Sequence, residues 1–289
     1  MIQAGNVIAK EVHRKIAPVI SVEPIHKEAI VADSTIKYII RTTEGDVVLV
    51  VSSPASPLLV KRAVDRQRSV KSCLTGHASD PIEAPVLEGY LGSQSYAAWR
   101  RRKTISKNRV VAKMQKVALT PRVYRWLCDV AVQTLQPADP VRLANNALRL
   151  CQIDRIPSEI KIMAKDAAEA FIDGRTPAIQ IAQHGDLWIG NILRSGRGFV
   201  IIDWPGARVD GSPFFDLVKL ALSVGASRSA IRSEIVRISN VLGCAPIAAT
   251  AYVLSGLGAL HSELECFPEA SFIQLCVQKV SLLSSILFF

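Results

Sequence analysis

Gln183-His184-Gly185-Asp186-Leu187-Trp188-Ile189-Gly190-Asn191-Ile192-Leu193 opens the stretch that decides the fold. Gly198-Phe199-Val200-Ile201-Ile202-Asp203-Trp204 follows it, and Ser212-Pro213-Phe214-Phe215-Asp216-Leu217-Val218 ends it. Four polar side chains punctuate this otherwise apolar run: Asp186, Asn191, Asp203 and Asp216. Asp186 and Asn191 are separated by four residues, close enough to share one loop. The apolar run from Phe199 to Ile202 predicts a short buried strand, and Asp203 at its end aims a hard oxygen donor at whatever Asn191 faces. Taken one at a time, each residue also suits a polar turn between two buried strands, with Asn191 as an Asx cap. The ordered combination is what carries chemical meaning.

The Asp-x4-Asn spacing is that of a kinase catalytic loop, where Asp accepts the acceptor hydroxyl proton and Asn holds Mg²⁺. The stretch resembles the aminoglycoside phosphotransferase-like kinases, whose signature runs HGDxxxxN, then IDW or IDF, then a later DL. His184-Gly185-Asp186, Asn191, Ile202-Asp203-Trp204 and Asp216-Leu217 match it in order. Asp186-Leu187-Trp188-x-Gly190-Asn191 also looks like the fructosamine kinase branch. The resemblance implies an α+β, bilobal protein-kinase-like fold. A small, mainly-β N-lobe would span residues 1–95, with a hinge at 96–103. A helical C-lobe would span 104–289, with its catalytic loop at 183–193 and its metal-binding segment at 199–206. It further implies phosphoryl transfer from ATP or GTP, with Mg²⁺, to a small-molecule hydroxyl, a sugar or sugar derivative being the most ordinary acceptor. Asp186 would be the catalytic base, Asn191 and Asp203 the metal ligands, and His184 and Asp216 supports of the loop. Such chemistry consists mainly of positioning and charge neutralisation.

Composition agrees with a globular chain: 289 residues, 49% hydrophobic and 21% charged, can bury a full core. Cys73, Cys128, Cys151, Cys244, Cys266 and Cys276 are scattered without a CxxC pair, which predicts neither a disulfide frame nor a zinc site. With no leader pattern at the N-terminus, a reduced cytoplasmic setting is expected. Val241–Leu260 runs twenty residues without a charge, but Pro246 and glycines at 243, 256 and 258 break it, so a buried helix is expected there. The apolar tail from Phe272 carries Lys279 and is expected to be a packing helix.

The N-terminal part departs from the family pattern. Strands are expected at 28–32, 35–42 and 46–52, then a helix at 58–74 and further strands near 85–99. The turn Asp33-Ser34-Thr35 holds no glycine. The third strand, Val47 to Val51, holds no Lys or Arg, and the facing helix offers Asp65 or Gln67 where Glu is usual. The nucleotide is therefore expected at Ser34, Thr35 and Lys37, with Lys61 as another candidate cation, and at the hinge through Tyr96 and Ala98. The gap in the pattern motivates an alternative: a catalytically weak, kinase-fold binding or regulatory protein.

The net charge is +10, and all of it arises between Leu91 and Cys128, where ten Lys or Arg meet no acid. Arg100, Arg101, Arg102 and Lys103 lead this segment and are expected to meet an anionic partner: an anionic or glycan acceptor, or a membrane surface touched through 100–125. Nucleic acid ranks last, since aromatic residues are sparse. Val110, Met114 and Val117 recur at i, i+4 and i+7 among basic residues, the pattern of an amphipathic helix. Six acids in residues 205–289 are few for a polycationic acceptor. Helices are expected at 121–136, 140–153, 160–172, 215–224, 227–242, 247–261 and 268–287. His261, Glu263 and Glu265 lie where the family builds its acceptor pocket.

Overall fold

The computed structural model describes residues 2–25, 35–106, 108–196, 198–262 and 268–287. The N-terminal part is an antiparallel sheet between two helices. Helix α1 (Ile2–Lys15) precedes β1 (Val19–Pro24), β2 (Ile36–Thr42) and β3 (Val47–Val51). Helix α2 (Leu59–Ser72) then leads to the hairpin of β4 (Leu87–Leu91) and β5 (Gln94–Arg100). The strand order is β1-β2-β3-β5-β4. Period-two alternation explains the composition of β3. Val47, Leu49 and Val51 pack with Tyr38, Ile40, Tyr96 and Ala98 under Ile8 and Val12 of α1. On the opposite face Val50, Ala97 and Trp99 meet Val60 and Val64 of α2. A strand covered on both sides reads as a continuous apolar run.

The first strand lies earlier than expected. β1 occupies 19–24 and pairs with β2 from Val22↔Ile40 to Pro24↔Tyr38. The expected strand at 28–32, and Asp33 and Ser34 of the turn, lie outside the described residues, as do Glu263 and Glu265. Residues 96–100 of the expected hinge form the second half of β5, so the chain leaves the sheet only after Arg100.

The C-terminal part is helical. Helix α3 (Arg109–Thr134) is followed by a two-residue strand β6 (Gln136–Pro137), α4 (Pro140–Arg149) and α5 (Ser158–Ile172). Strands β7 (Ile179–Gln183), β8 (Ile192–Ser195), β9 (Gly198–Ile201) and β10 (Arg208–Gly211) frame the loop containing Asp186. Then come α6 (Phe215–Val224), α7 (Arg228–Leu242), α8 (Ala248–His261) and α9 (Glu269–Leu287). Two expected pieces merge in α3, which continues through Pro121. A proline there forfeits one bond to the Val117 carbonyl, on the exposed side of the helix where water can replace it.

The charge-free stretch 241–260 splits as its glycines and proline suggest. Gly243 caps α7 in the left-handed region, and α8 is buried from Ala248 to Gly258. Gly258 lies so close to the Asn146 carbonyl of α4 that an added Cβ would sit 1.7 Å from its oxygen. Helix α9 has a mean hydropathy of 1.4, apolar and long enough to cross a bilayer by composition and length alone. In the fold it sends Phe272, Cys276, Leu283 and Ile286 into the C-terminal core. Contacts that join the two parts across their boundary include three near the loop. Ile201 N donates to the Pro81 carbonyl (2.9 Å), Arg194 N donates to the Lys103 carbonyl (2.8 Å), and the Arg66 guanidinium of α2 donates to the Pro205 carbonyl.

Candidate active site

Strand β7 delivers the chain into the loop, and its buried last residue, Gln183, accepts from Ser212 N at 2.7 Å. His184 follows, 1% exposed, its ring edge-on to Trp204 with centroids 4.5 Å apart. Its Nδ1 accepts the Asp186 backbone N–H (3.1 Å), so the ring proton sits on Nε2, which donates to the Ile202 carbonyl (3.0 Å). Asp216, in the first turn of α6, accepts from His184 N at 2.6 Å and Gly185 N at 3.0 Å. Both carboxylate oxygens are thus spent on the loop backbone. Gly185 has φ +82°, and an added Cβ would lie 2.2 Å from the Gly206 carbonyl oxygen, so only glycine fits.

The β8–β9 hairpin brings the remaining polar residues together. Ile192 pairs with Ile201, and just beyond that pair Ile202 N donates to the Asn191 carbonyl at 3.0 Å. Asn191 therefore stands beside the turn that carries Asp203. The Asn191 Nδ2 donates to the Asp186 carbonyl (3.0 Å) and to its Oδ2 (3.2 Å), which leaves the Asn191 Oδ1 as an oxygen donor. The Asp203 carboxylate is exposed. One carboxylate and one carboxamide oxygen form a hard donor set that suits Mg²⁺, with coordination positions left for other oxygens. The two non-glycine residues with positive φ among the described residues are Asp203 (φ 68°) and Phe214 (φ 64°). Both flank the loop, and local strain of this kind persists only where the surroundings enforce it.

Two lysines complete the constellation: Lys219 did not stand out in the sequence, and Lys279 stood out only as the charge in an apolar tail. Lys219, one helical turn after Asp216 on α6, places its ammonium against Asp186 Oδ1. Lys279 of α9 is completely buried, donates to the Phe215 carbonyl at 3.0 Å and sits 3.4 Å from the Phe215 ring centroid. Burial, followed by repulsion from Lys219, brings its pKa down to about 7, against the opposing pull of Asp216, Asp186 and Cys276. The i, i+3 relation of Asp216 and Lys219 was a usable signal, since such residues share a helix face. Lys279 was visible as the charge of an apolar tail, but nothing in the sequence placed it beside Phe215, 64 residues away.

The expected nucleotide residues fare differently. Thr35 lies just before β2 and Lys37 within it, while Ser34 is outside the described residues. Tyr96 and Ala98 do not form a hinge. Tyr96 pairs with Val51 and Gly89, and Ala98 with Leu49 and Leu87, so both backbones are engaged in ladders on two sides. The Tyr96 hydroxyl turns toward α1 and bonds Glu11. Burial, with that bond second, pushes its pKa up. Lys61 pairs with Asp65 in its own helix, and Gln67 donates to the Glu83 carbonyl (2.8 Å), so neither Asp65 nor Gln67 receives a strand lysine.

The basic run is also partly committed. Arg101 bonds Asp46 at 2.6 Å and Arg102 bonds Glu83 at 3.0 Å through Nε, while Lys103 makes only an isolated backbone β-bridge with Arg194. Arg100 ends β5 and is exposed. Beside the loop, a small cavity of about 30 Å³ is lined by Gly185, Gly206, Arg142, Arg208, Asp210 and Ser255, among others. Asp210 sits between the two arginines, at 3.3 Å from Arg142 and 3.2 Å from Arg208. His261 packs against Phe272 with ring centroids 5.0 Å apart and planes tilted by 48°.

No protein-family model matches the chain, and no curated protein matches its sequence. Solved structures do resemble it. One is a thermostable mutant of aminoglycoside phosphotransferase APH(4)-Ia in ternary complex with ADP and hygromycin B, with a TM-score of 0.59 and 15% identity over 95% of this chain and 98% of that one. A putative fructosamine-3-kinase from Thermobifida fusca gives 0.59 and 17%, over 97% and 99%. The choline kinase LicA from Streptococcus pneumoniae gives 0.53 and 13%, over 96% and 99%. The chain has the protein-kinase-like fold of these small-molecule kinases: a mainly-β antiparallel N-terminal sheet and a helical C-terminal part.

Proposed function

We propose that the chain is a Mg²⁺-dependent phosphotransferase that moves the γ-phosphate of ATP or GTP onto a hydroxyl of a small molecule, with a sugar or sugar derivative as the acceptor class. The observation that carries this reading is the loop itself. Asp186, Asn191 and the Asp203 turn are drawn together by the β8–β9 hairpin and locked by His184 and Asp216. The solved structures of similar fold include phosphotransferases crystallised with ADP or AMP, which favours a nucleotide as the donor here.

In this reading the acceptor oxygen attacks the γ-phosphorus while the bond to the β–γ bridging oxygen breaks. The acceptor proton passes to Asp186, and the nucleoside diphosphate leaves. Asn191 Oδ1 and Asp203 would hold Mg²⁺, which when bound neutralises charge on the phosphate oxygens. Asn191 has a second task, since its Nδ2 fixes the Asp186 carboxylate. Lys219 orients that carboxylate from the other oxygen and adds a positive charge beside the transferred group. Arg66, reaching the turn after Asp203, offers a cation from α2 that β3 does not supply. An anionic or glycan acceptor suits the sparse acids of the C-terminal part, and an anionic ligand would meet Arg100 and Lys103 before the paired Arg101 and Arg102.

The test is a thermal-melt series with Mg²⁺ and ATP or GTP, followed by diphosphate release against a panel of sugars and phosphosugars. A shift that needs both metal and nucleotide, with acceptor-dependent release, is the expected result. No shift at millimolar nucleotide would favour the binding-protein reading, to which the cation-free β3 lends support.

A further inference from the structure

Helix α3 has two halves with opposite relations to solvent. From Leu119 onward it is anchored: Leu119, Val123, Trp126, Leu127 and Val130 are buried. Of residues 109–118, none is buried. In that first half the side that points away from the protein is apolar. Val110 is 70% exposed, Met114 68% and Val117 67%, and exposed Pro121 continues the line. At 100° per residue these four fall within roughly 60° of one another, a single ridge along the helix. Cations flank it: Lys113 on one side, with Arg109 and Lys116 beyond, and Arg125 on the other. Among the described residues, none of Arg109, Lys113, Lys116 or Arg125 has an ion-pair partner, in contrast to Arg101 and Arg102. A helix normally presents its charges to water and its apolar stripe to the core. Here the ridge faces outward and its charge-bearing borders are all of one sign.

We infer that the first half of α3 is a docking surface for a bilayer containing anionic lipid. Headgroup phosphates and carboxylates would meet the four cations, while Val110, Met114, Val117 and Pro121 enter the boundary between headgroups and acyl chains. Charge decides between occupants. A second copy would bring like charges face to face across the same ridge. A free anionic solute would leave the ridge in water. An anionic interface accepts both features at once. The assignment does not depend on what the loop around Asp186 catalyses.

The experiment is co-sedimentation of the full chain with phosphatidylcholine vesicles, with and without about 30 mol% phosphatidylserine. Binding is expected on the anionic vesicles, at least about tenfold weaker on the neutral ones, and reduced by salt. Lys113→Gln with Lys116→Gln should weaken it by about 25-fold, taking roughly fivefold per cation removed. Met114→Ser with Val117→Ser should weaken it by about tenfold while leaving melting temperature unchanged, since both side chains are exposed. Hydrogen exchange on the unsubstituted protein gives a variant-free reading: vesicles should protect 109–118. Absence of sedimentation with anionic vesicles, unchanged exchange, or equal binding by the serine variant would each overturn the proposal. So would a protein dimer dissolved by the serine pair, which would assign the ridge to a second copy.

Discussion

The loop around Asp186 and the N-terminal sheet are built by different means. In the loop, polar groups hold one another. Asp216 takes two backbone N–H groups, His184 uses both ring nitrogens, and Asn191 and Lys219 each take one Asp186 oxygen. In the sheet, apolar packing dominates, and β3 is covered by α1 on one face and α2 on the other with no cation in it. The difference bears on where the proposed phosphate recognition would come from. In the proposed reading, a strand without a cation would leave that task to α2, through Arg66, and to α6, through Lys219.

The comparison can be broken or sharpened by substitution. Asp186→Ala should lower turnover by about 10²–10⁴-fold while the nucleotide-induced melting shift survives, as measured by initial rates and thermal melts. Loss of the shift as well would mean that the loop, rather than the sheet side, binds the donor. Gly185→Ala should be the most destabilising change, by about 2–4 kcal/mol, because it places a methyl on the Gly206 carbonyl in a positive-φ backbone. Denaturant titration reads it, and a loss below about 1 kcal/mol would show that the two loops can separate freely. Lys219→Met should cut turnover by about 10–100-fold with little effect on stability, since it removes an orienting charge from a half-exposed carboxylate. Unchanged turnover would return the pair to a resting-state contact.

A further effect concerns pH. Burial lowers the Lys279 pKa from its ordinary value near 10.5 to about 7, so between those values the unfolded chain binds the proton and the folded chain does not. Stability should therefore rise with pH through that window, by at most about 1.4 kcal/mol per unit. Lys279→Met should flatten the rise in melts taken from pH 7 to 9. A parent profile equally flat would show that the buried amine keeps its proton.

Much of the C-terminal half was legible because its signals are local. Leu242-Gly243 marks a helix stop, Asp173-Gly174 another, and the expected helices at 215–224, 227–242, 247–261 and 268–287 match α6–α9 to within a residue or so. The loop geometry was legible because its members lie within one stretch and a hairpin folds them back on one another. What escaped depends on contacts distant in sequence. Arg66 reaches Pro205 across 139 residues, and Lys279 reaches Phe215 across 64. Tyr96 and Ala98 were misplaced because an apolar run ending in Trp99-Arg100 does not reveal that both its neighbours are strands. The length of α3 escaped because proline is a boundary only where the lost bond cannot be replaced by water.

Asp203 combines an exposed carboxylate with φ 68°, a backbone region that glycine occupies at no steric cost. The residue that would sit there most comfortably is therefore the one that cannot bind a cation. A library screened for heat resistance should drift toward glycine at position 203, and one screened for turnover should hold aspartate. Divergence of those two populations at a single codon would measure how far this chain has traded durability for chemistry.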